Sequence, residues 1–304
     1  MPGVVEVSAT AYEASPVKRR RRTNVELAVV DEAVVAAVRE DYPVTLRGVF
    51  YRVVSAGAVE KSDAGYQLVG RQLLKLRRSG VVPYSWITDG TRWITKPTTW
   101  TGIDEMLEDA AASYRRALWH DTDDEVQIFT EKDAISGVIL PVTERWDVPL
   151  GVLRGYSSES FAHSVAESII GSNSQRGGDT YIYQVGDHDP SGVDAWRDFT
   201  EKVTRFIAGR ADDLVPYVHF ERLAVTEEQI FELGLPTRPT KKSDSRAKRF
   251  SGGSVEVDAI RAPTLRYLVD DAILRHVDQE HLRLTRIYEQ SEREIFARMQ
   301  GDLR

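Results

Sequence analysis

Two short acidic motifs are placed where they could hold a cation. Glu131-Lys132-Asp133-Ala134 closes the run Glu125-Val126-Gln127-Ile128-Phe129-Thr130. Asp187-His188-Asp189-Pro190-Ser191-Gly192 closes Thr180-Tyr181-Ile182-Tyr183-Gln184-Val185-Gly186. Both runs are rich in β-branched and aromatic residues and read as strands. Open α/β sheets build their sites at the carboxyl ends of strands, so the two motifs can converge. On an extended backbone residues two apart share a side, which lets Asp187 and Asp189 face one ion while His188 points away. Glu131, Asp187 and Asp189 would then offer hard oxygen donors, which suit Mg²⁺ completed by water and phosphate oxygens. Such residues also cap helices after βα turns, but an Asp-x-Asp-Pro-x-Gly sequence asks for more than a cap.

The elements around these motifs alternate. Strands are expected near 126–130, 148–153 and 180–186, and helices near 134–146, 159–171 and 190–209, a pattern that predicts a mostly parallel sheet with crossover helices. Helices near 262–275 and 279–299 follow. Ahead of the sheet lie three helical stretches, from Asn24 to about Glu40, Leu46 to about Ser55, and Asp63 to Arg78, with Leu68, Val69, Leu73, Leu74 and Leu76 expected in a core. Val81 to Ile87 reads as extended, with a turn at Asp89-Gly90. Three short helices and a β-ribbon predict a winged helix over residues 23–100, whose third helix offers Arg71, Lys75, Arg77 and Arg78 to a duplex. The same residues would also form a solvated basic face on a small helical domain. A connecting helix over 101–118 leads to the α/β part, 119–304.

Composition sets bounds on function. The chain has 304 residues, 41% of them hydrophobic, and no cysteine, which excludes disulfides and thiolate metal sites and fits a cytoplasmic setting. No apolar run reaches the roughly 20 residues of a membrane span. The net charge of −7 is unevenly spread: residues 1–100 carry 15 Lys/Arg against 10 Asp/Glu, the remainder 25 against 37. Residues 1–22 lack hydrophobic periodicity, end in Lys18-Arg19-Arg20-Arg21-Arg22 and read as a solvated basic arm. A breaker-rich loop from Arg238 to Arg249, with Lys241, Lys242, Arg246 and Lys248 against Asp244 alone, is a second candidate for backbone phosphates. A basic part joined to an acidic, metal-binding part is what a DNA-processing enzyme could look like, and ordinary scatter of surface charge accounts for the same counts.

The pairing of Glu131 with Asp187-x-Asp189 resembles the arrangement of Toprim domains. With the stretch Thr45-Leu46-Arg47-Gly48-Val49-Phe50-Tyr51 before it, the chain resembles the topoisomerase VI A subunit and the related meiotic double-strand-break proteins. Gly151-Val152-Leu153-Arg154-Gly155-Tyr156-Ser157-Ser158 and Ser254-Val255-Glu256-Val257-Asp258-Ala259-Ile260 point to compact members from phages and mobile elements. The resemblance implies a winged helix followed by a Toprim domain, with Tyr51 as nucleophile and Arg47, one helical turn earlier on the same face, holding the scissile phosphate. It further implies Mg²⁺ on Glu131, Asp187 and Asp189, duplex DNA as substrate, and a homodimer in which one subunit's tyrosine works with the other's metal. No Gly-x-x-x-x-Gly-Lys loop is present, so ATP-driven strand passage would need a separate B-type subunit.

Other readings stand beside this one. Tyr51 also suits a core position with its hydroxyl at the rim, which leaves a Toprim nuclease that uses water. A non-cleaving DNA-binding replication or partition factor is a third. Lys132 reads as assisting the chemistry or, more commonly beside an acidic site, as a solvated neighbour, and Arg154, Ser157 and Ser158 as a strand-end turn or phosphate contacts.

Overall fold

The computed structural model describes residues 22–88, 96–239, 250 and 252–302. Its centre is a four-stranded, wholly parallel sheet formed by β1 (Glu125–Thr130), β2 (Leu150–Val152), β3 (Thr180–Val185) and β4 (Val218–Ala224), in the order β2-β1-β3-β4. Parallel neighbours require crossovers. These are α5 (Asp133–Arg145), α6 (Glu159–Arg176) and α7 (Pro190–Ala208).

Strand alternation divides the apolar residues between two faces. Phe129 and Ile182 pack with Ala162, Val165, Ile169, Phe199, Val203 and Ile207 of α6 and α7. Val126, Ile128, Tyr183 and Val185 belong to the opposite core, with Ile135, Val138 and Ile139 of α5 and Leu265, Val269 and Ile273 of α9 (Ala262–Leu274). That second core continues without a break into the N-terminal helices. Val30, Val34 and Val38 of α1 (Asn24–Asp41), Val49, Phe50 and Val53 of α2 (Leu46–Ser55), and Leu68, Val69, Leu73 and Leu76 of α3 (Asp63–Arg78) are part of it. Each of these helices opens on a hydroxyl cap, Thr23, Thr45 and Ser62, which satisfies an otherwise orphaned amide of the first turn. Arg261 pairs with the buried Asp41 at 2.8 Å, and Arg266 donates to the Pro43 carbonyl at 3.1 Å, which ties α9 to the end of α1. The remaining helices are α4 (Ile103–Ser113), α8 (Glu227–Glu232) and α10 (Gln279–Asp302), with α4 lying along α10. No helix among the described residues is long and apolar enough to cross a membrane.

Several expectations need correction. Residues 81–87 are not a continuous extended strand. Tyr84–Trp86 forms a 3-10 turn, and only Ile87 makes a bridge, parallel to Val44. The Trp86 ring stacks on Tyr42 at 4.6 Å, and this anchors the turn. Asp89-Gly90 lies outside the described residues, as does the basic arm up to Arg21. Leu74 is exposed on α3 rather than in the core, because it lies off the face formed by Leu68, Val69, Leu73 and Leu76. The connecting helix ends at Ser113, five residues early, where Tyr114 turns to bond Glu292 of α10. Strand β4 is an addition to the three strands that the sequence pattern predicts.

The α6 and α7 side of the sheet is tightly closed. At Gly151 on β2 a Cβ would stand 2.3 Å from Cε1 of Phe129, whose ring is already packed against Phe161 and Phe199. Gly151→Ala should therefore cost about 1–3 kcal/mol through overpacking. Denaturant unfolding of the purified variant measures this as a lower midpoint at unchanged slope.

Candidate functional site

The strand order places a crevice at the carboxyl ends of β1 and β3. The chain leaves β1 through α5 toward β2 and leaves β3 through α7 toward β4, on the other side, so the two neighbours form a topological switch point. Thr130 pairs with Val185, and the residues that follow emerge level with each other. Glu131 Oε2 accepts the Asp187 amide at 3.1 Å. Two glycines leave space for that carboxylate, since a Cβ on Gly186 or Gly192 would approach the same oxygen to 3.2 or 2.9 Å. Asp189 caps α7, its Oδ1 accepting the Gly192 amide at 2.7 Å. Beneath these groups the Arg222 guanidinium donates to the Gln184 side chain at 2.9 Å, to the Gly186 carbonyl at 3.1 Å and to the Asp187 carbonyl, pinning the turn that presents Asp187.

Lys132 is no solvated neighbour. Its ammonium lies 2.8 Å from Asp187 Oδ1 and 3.1 Å from Asp258 Oδ2. Burial by itself would lower the Lys132 pKa, but Asp258 and Asp187 more than reverse that and raise it. Asp187 also accepts the Val257 amide at 2.9 Å. Burial pushes its pKa up, and both of these donors oppose that rise. Asp258 accepts from Thr45, the same hydroxyl that caps α2 at the Gly48 amide, 2.8 Å away.

Burial and the adjacent Asp187 raise the Glu131 pKa, against the opposing pull of the Asp187 amide and Lys132. Among the described residues, four carboxylates (Glu131, Asp187, Asp189, Asp258) face two cations (Lys132, Arg222) around this centre. His188 adds no charge. It is buried against Phe250 with both backbone groups paired to Val255 at 2.9 Å, and burial together with Arg222 lowers its pKa. Among the described residues no three His, Cys, Asp or Glu side chains form a ready-made metal group. In kind, the residues nevertheless fit a hard divalent ion. They are carboxylate oxygens in a glycine-lined crevice where, among the described residues, carboxylates outnumber cations.

Tyr51 does not lie on an open helical face. It is 4% exposed, and its hydroxyl accepts from Arg238 Nη2 at 2.8 Å. Burial raises the pKa of the phenol; the Arg238 hydrogen bond opposes this and Glu256 adds to it. Arg238 also pairs with Glu256, whose other oxygen lies 3.3 Å from Arg47 Nε. Arg47 in turn stacks over the Tyr66 ring at 4.4 Å, and Lys61 stands 5.5 Å from the centre of the Tyr51 ring. The arginine one turn before the tyrosine therefore shares its cluster, as the spacing predicts, but the hydroxyl is covered by Arg238 instead of lying open beside α3. Behind it a cavity of about 230 Å³ opens between α2 and the segments 233–236 and 258–264.

The cations expected on DNA fare unequally. Arg71 and Arg78 are exposed on α3. Lys75 is paired with Asp31 at 3.0 Å, and Arg77 stacks on Tyr84 at 4.2 Å. Lys241, Lys242, Arg246, Lys248 and Arg249 lie outside the described residues. Arg154 is paired with Asp133 at 2.8 Å and Ser158 caps α6. The residues missed by sequence reading are Lys61, Arg222, Glu256 and Asp258. The last two had a legible signal, since Val255-Glu256-Val257-Asp258 alternates apolar and acidic residues. The sequence matches no protein-family model, and a search of curated proteins finds no match.

Two measurements test the centre. Lys132→Met removes the ammonium that pairs with the buried Asp187 and Asp258 and should destabilise the fold by about 3 kcal/mol. Adding Asp258→Asn should recover part of that loss in denaturant unfolding. The second is a pH test on Glu131. Its folded pKa is raised, so the stability it contributes is full below the unfolded pKa and is lost as pH rises through the folded value. Glu131→Gln should therefore raise the melting temperature at neutral pH in metal-free buffer, and the gain should vanish below about pH 4.

Proposed function

We propose that the chain is a Mg²⁺-dependent DNA-cleaving transesterase of the kind its sequence resembles, with a winged-helix unit carrying Tyr51 and a Toprim unit carrying Glu131, Asp187 and Asp189, acting as a homodimer on duplex DNA. One observation carries the reading. A single segment, 256–258, joins a tyrosine ringed by cations to an acidic centre of carboxylates. Glu256 contacts the arginines at Tyr51, while Val257 and Asp258 contact Asp187 and Lys132. Phosphodiester chemistry by a tyrosine needs both kinds of site.

In the proposed step the Tyr51 oxygen forms a bond to phosphorus as the bond to the 3′ oxygen breaks. The product is a 5′-phosphotyrosyl link and a free 3′ hydroxyl, the phenolic proton passing to solvent and the departing 3′ oxygen taking one from it. Arg238, already hydrogen-bonded to the phenol, stabilises the oxygen as it gains negative charge, and Arg47 orients the phosphate. A divalent ion, when bound by Glu131, Asp187 and Asp189, supplies Lewis-acid stabilisation of the departing oxygen. Lys132 favours the ionised form of Asp187 and holds it in place. The deep burial of Tyr51 means that its hydroxyl must be uncovered before it can attack. That burial favours one second reading, a metal-dependent nuclease that uses water and leaves Tyr51 structural.

Covalent capture separates the two. With Mg²⁺ and an end-labelled duplex, the wild-type chain should yield a denaturation-resistant protein–DNA adduct. Tyr51→Phe should abolish the adduct and cleavage while leaving duplex binding within about twofold, since only one oxygen is lost. Cleavage that persists in Tyr51→Phe assigns the chemistry to water.

A further inference from the structure

The charges around Tyr51 do not balance. Among the described residues, Arg47, Lys61 and Arg238 converge there, and the carboxylate that answers them is Glu256. Lys61 is held in place by the carbonyls of Pro236 and Thr237, at 3.1 and 3.4 Å. Its pKa is lowered by burial first and by Arg238 second, so the cluster already carries mutual repulsion. Glu256 bridges the two arginines, one oxygen to each, as a phosphate's oxygens can bridge a pair of guanidinium groups. The fit is incomplete, because Glu256 Oε2 is buried without a hydrogen bond and meets Arg47 only at 3.3 Å. The arginine side chains remain 36% and 44% exposed and Lys61 is exposed, so a ligand approaching from solvent can reach all three.

We infer that Arg47, Lys61 and Arg238 form a phosphate seat over Tyr51, and that the Glu256 carboxylate fills this seat in the free chain and is displaced by a phosphate of the nucleic-acid backbone. A carboxylate carries one charge and two oxygens in a plane. A phosphodiester offers its charge on two oxygens disposed tetrahedrally and can engage the third cation as well. Exchange of one for the other frees Glu256 from both arginines and loosens the contact of Arg238 with the Tyr51 hydroxyl. The seat thus couples binding of the backbone to uncovering of the tyrosine.

The inference rests on the DNA-directed reading above, and its test does not pass through cleavage. Binding of a short fluorescein-labelled duplex to the full chain is followed by anisotropy in Mg²⁺-free buffer across a salt series. Thermal protection by inorganic phosphate is measured in parallel. Glu256→Gln keeps the side-chain shape and should bind the duplex about tenfold more tightly at low salt, with a log–log salt slope steeper by about one. Phosphate should protect this variant more than the wild type. Lys61→Met, an exposed change, should weaken duplex binding and reduce the phosphate effect, and in the Glu256→Gln background it should remove most of the gain. If Glu256→Gln, folded by circular dichroism, gains neither duplex affinity nor phosphate protection, the seat is wrong, whatever Tyr51 does. If phosphate protection rises as expected but no duplex binds at any salt, the seat stands and the DNA reading falls.

Discussion

The ammonium of Lys132, held between Asp187 and Asp258, is the interaction on which the rest of the arrangement depends. It lies one residue beyond Glu131, so the strand that ends in the first acidic motif also supplies the countercharge for the second. Through Asp258 it reaches the hydroxyl that caps α2, and through α2 it reaches Arg47 and Tyr51. A buried pair of this kind adds little net stability over an apolar replacement. Its effect is to fix position. With one carboxylate on each side, Lys132 sets the distance between the sheet crevice and the N-terminal helices.

How much of this was legible in the sequence follows the range of each interaction. The strands β1 and β3, the helices that follow them and the cap at Thr45 are local patterns, and the boundaries fall within a few residues of those expected. The convergence of Glu131 with Asp187 follows from the carboxyl-end rule for parallel sheets. Strand β4 was hidden because it is an edge strand whose alternation breaks: Val218 and Phe220 are followed on the same side by Arg222, and Leu223 and Ala224 are then both buried. Lys132 could not be assigned from sequence, because its partner Asp258 is 126 residues away. The burial of Tyr51 was equally illegible. An arginine one turn earlier marked the right helix, but the hydroxyl's actual partner, Arg238, comes from 187 residues further along the chain.

The centre is arranged at a cost to the fold. Glu131 is pushed toward the neutral form by burial, His188 Nδ1 and Glu256 Oε2 are buried without hydrogen bonds, and Arg47, Lys61 and Arg238 crowd together. Perturbed groups concentrated in one crevice and one adjoining surface are what function, rather than stability, selects. The large apolar core shared by α1–α3, α5 and α9 lies directly behind both sites and supplies the rigidity that lets such groups persist.

The segment 254–258 has a consequence for how the chain can vary. Five successive residues each engage a different part of the molecule. Ser254 pairs with the Arg238 backbone, Val255 with His188, Glu256 with the arginines at Tyr51, Val257 with Asp187, and Asp258 with Lys132 and Thr45. It works as a ruler whose divisions are single residues. An inserted or deleted residue here would shift every contact by one position and exchange the apolar and acidic sides, so length in this stretch should be far less free to drift than its composition. A ruler of fixed length also means that the two sites cannot be tuned apart in small steps. Any change in their separation has to come from rebuilding the loops at either end of the segment.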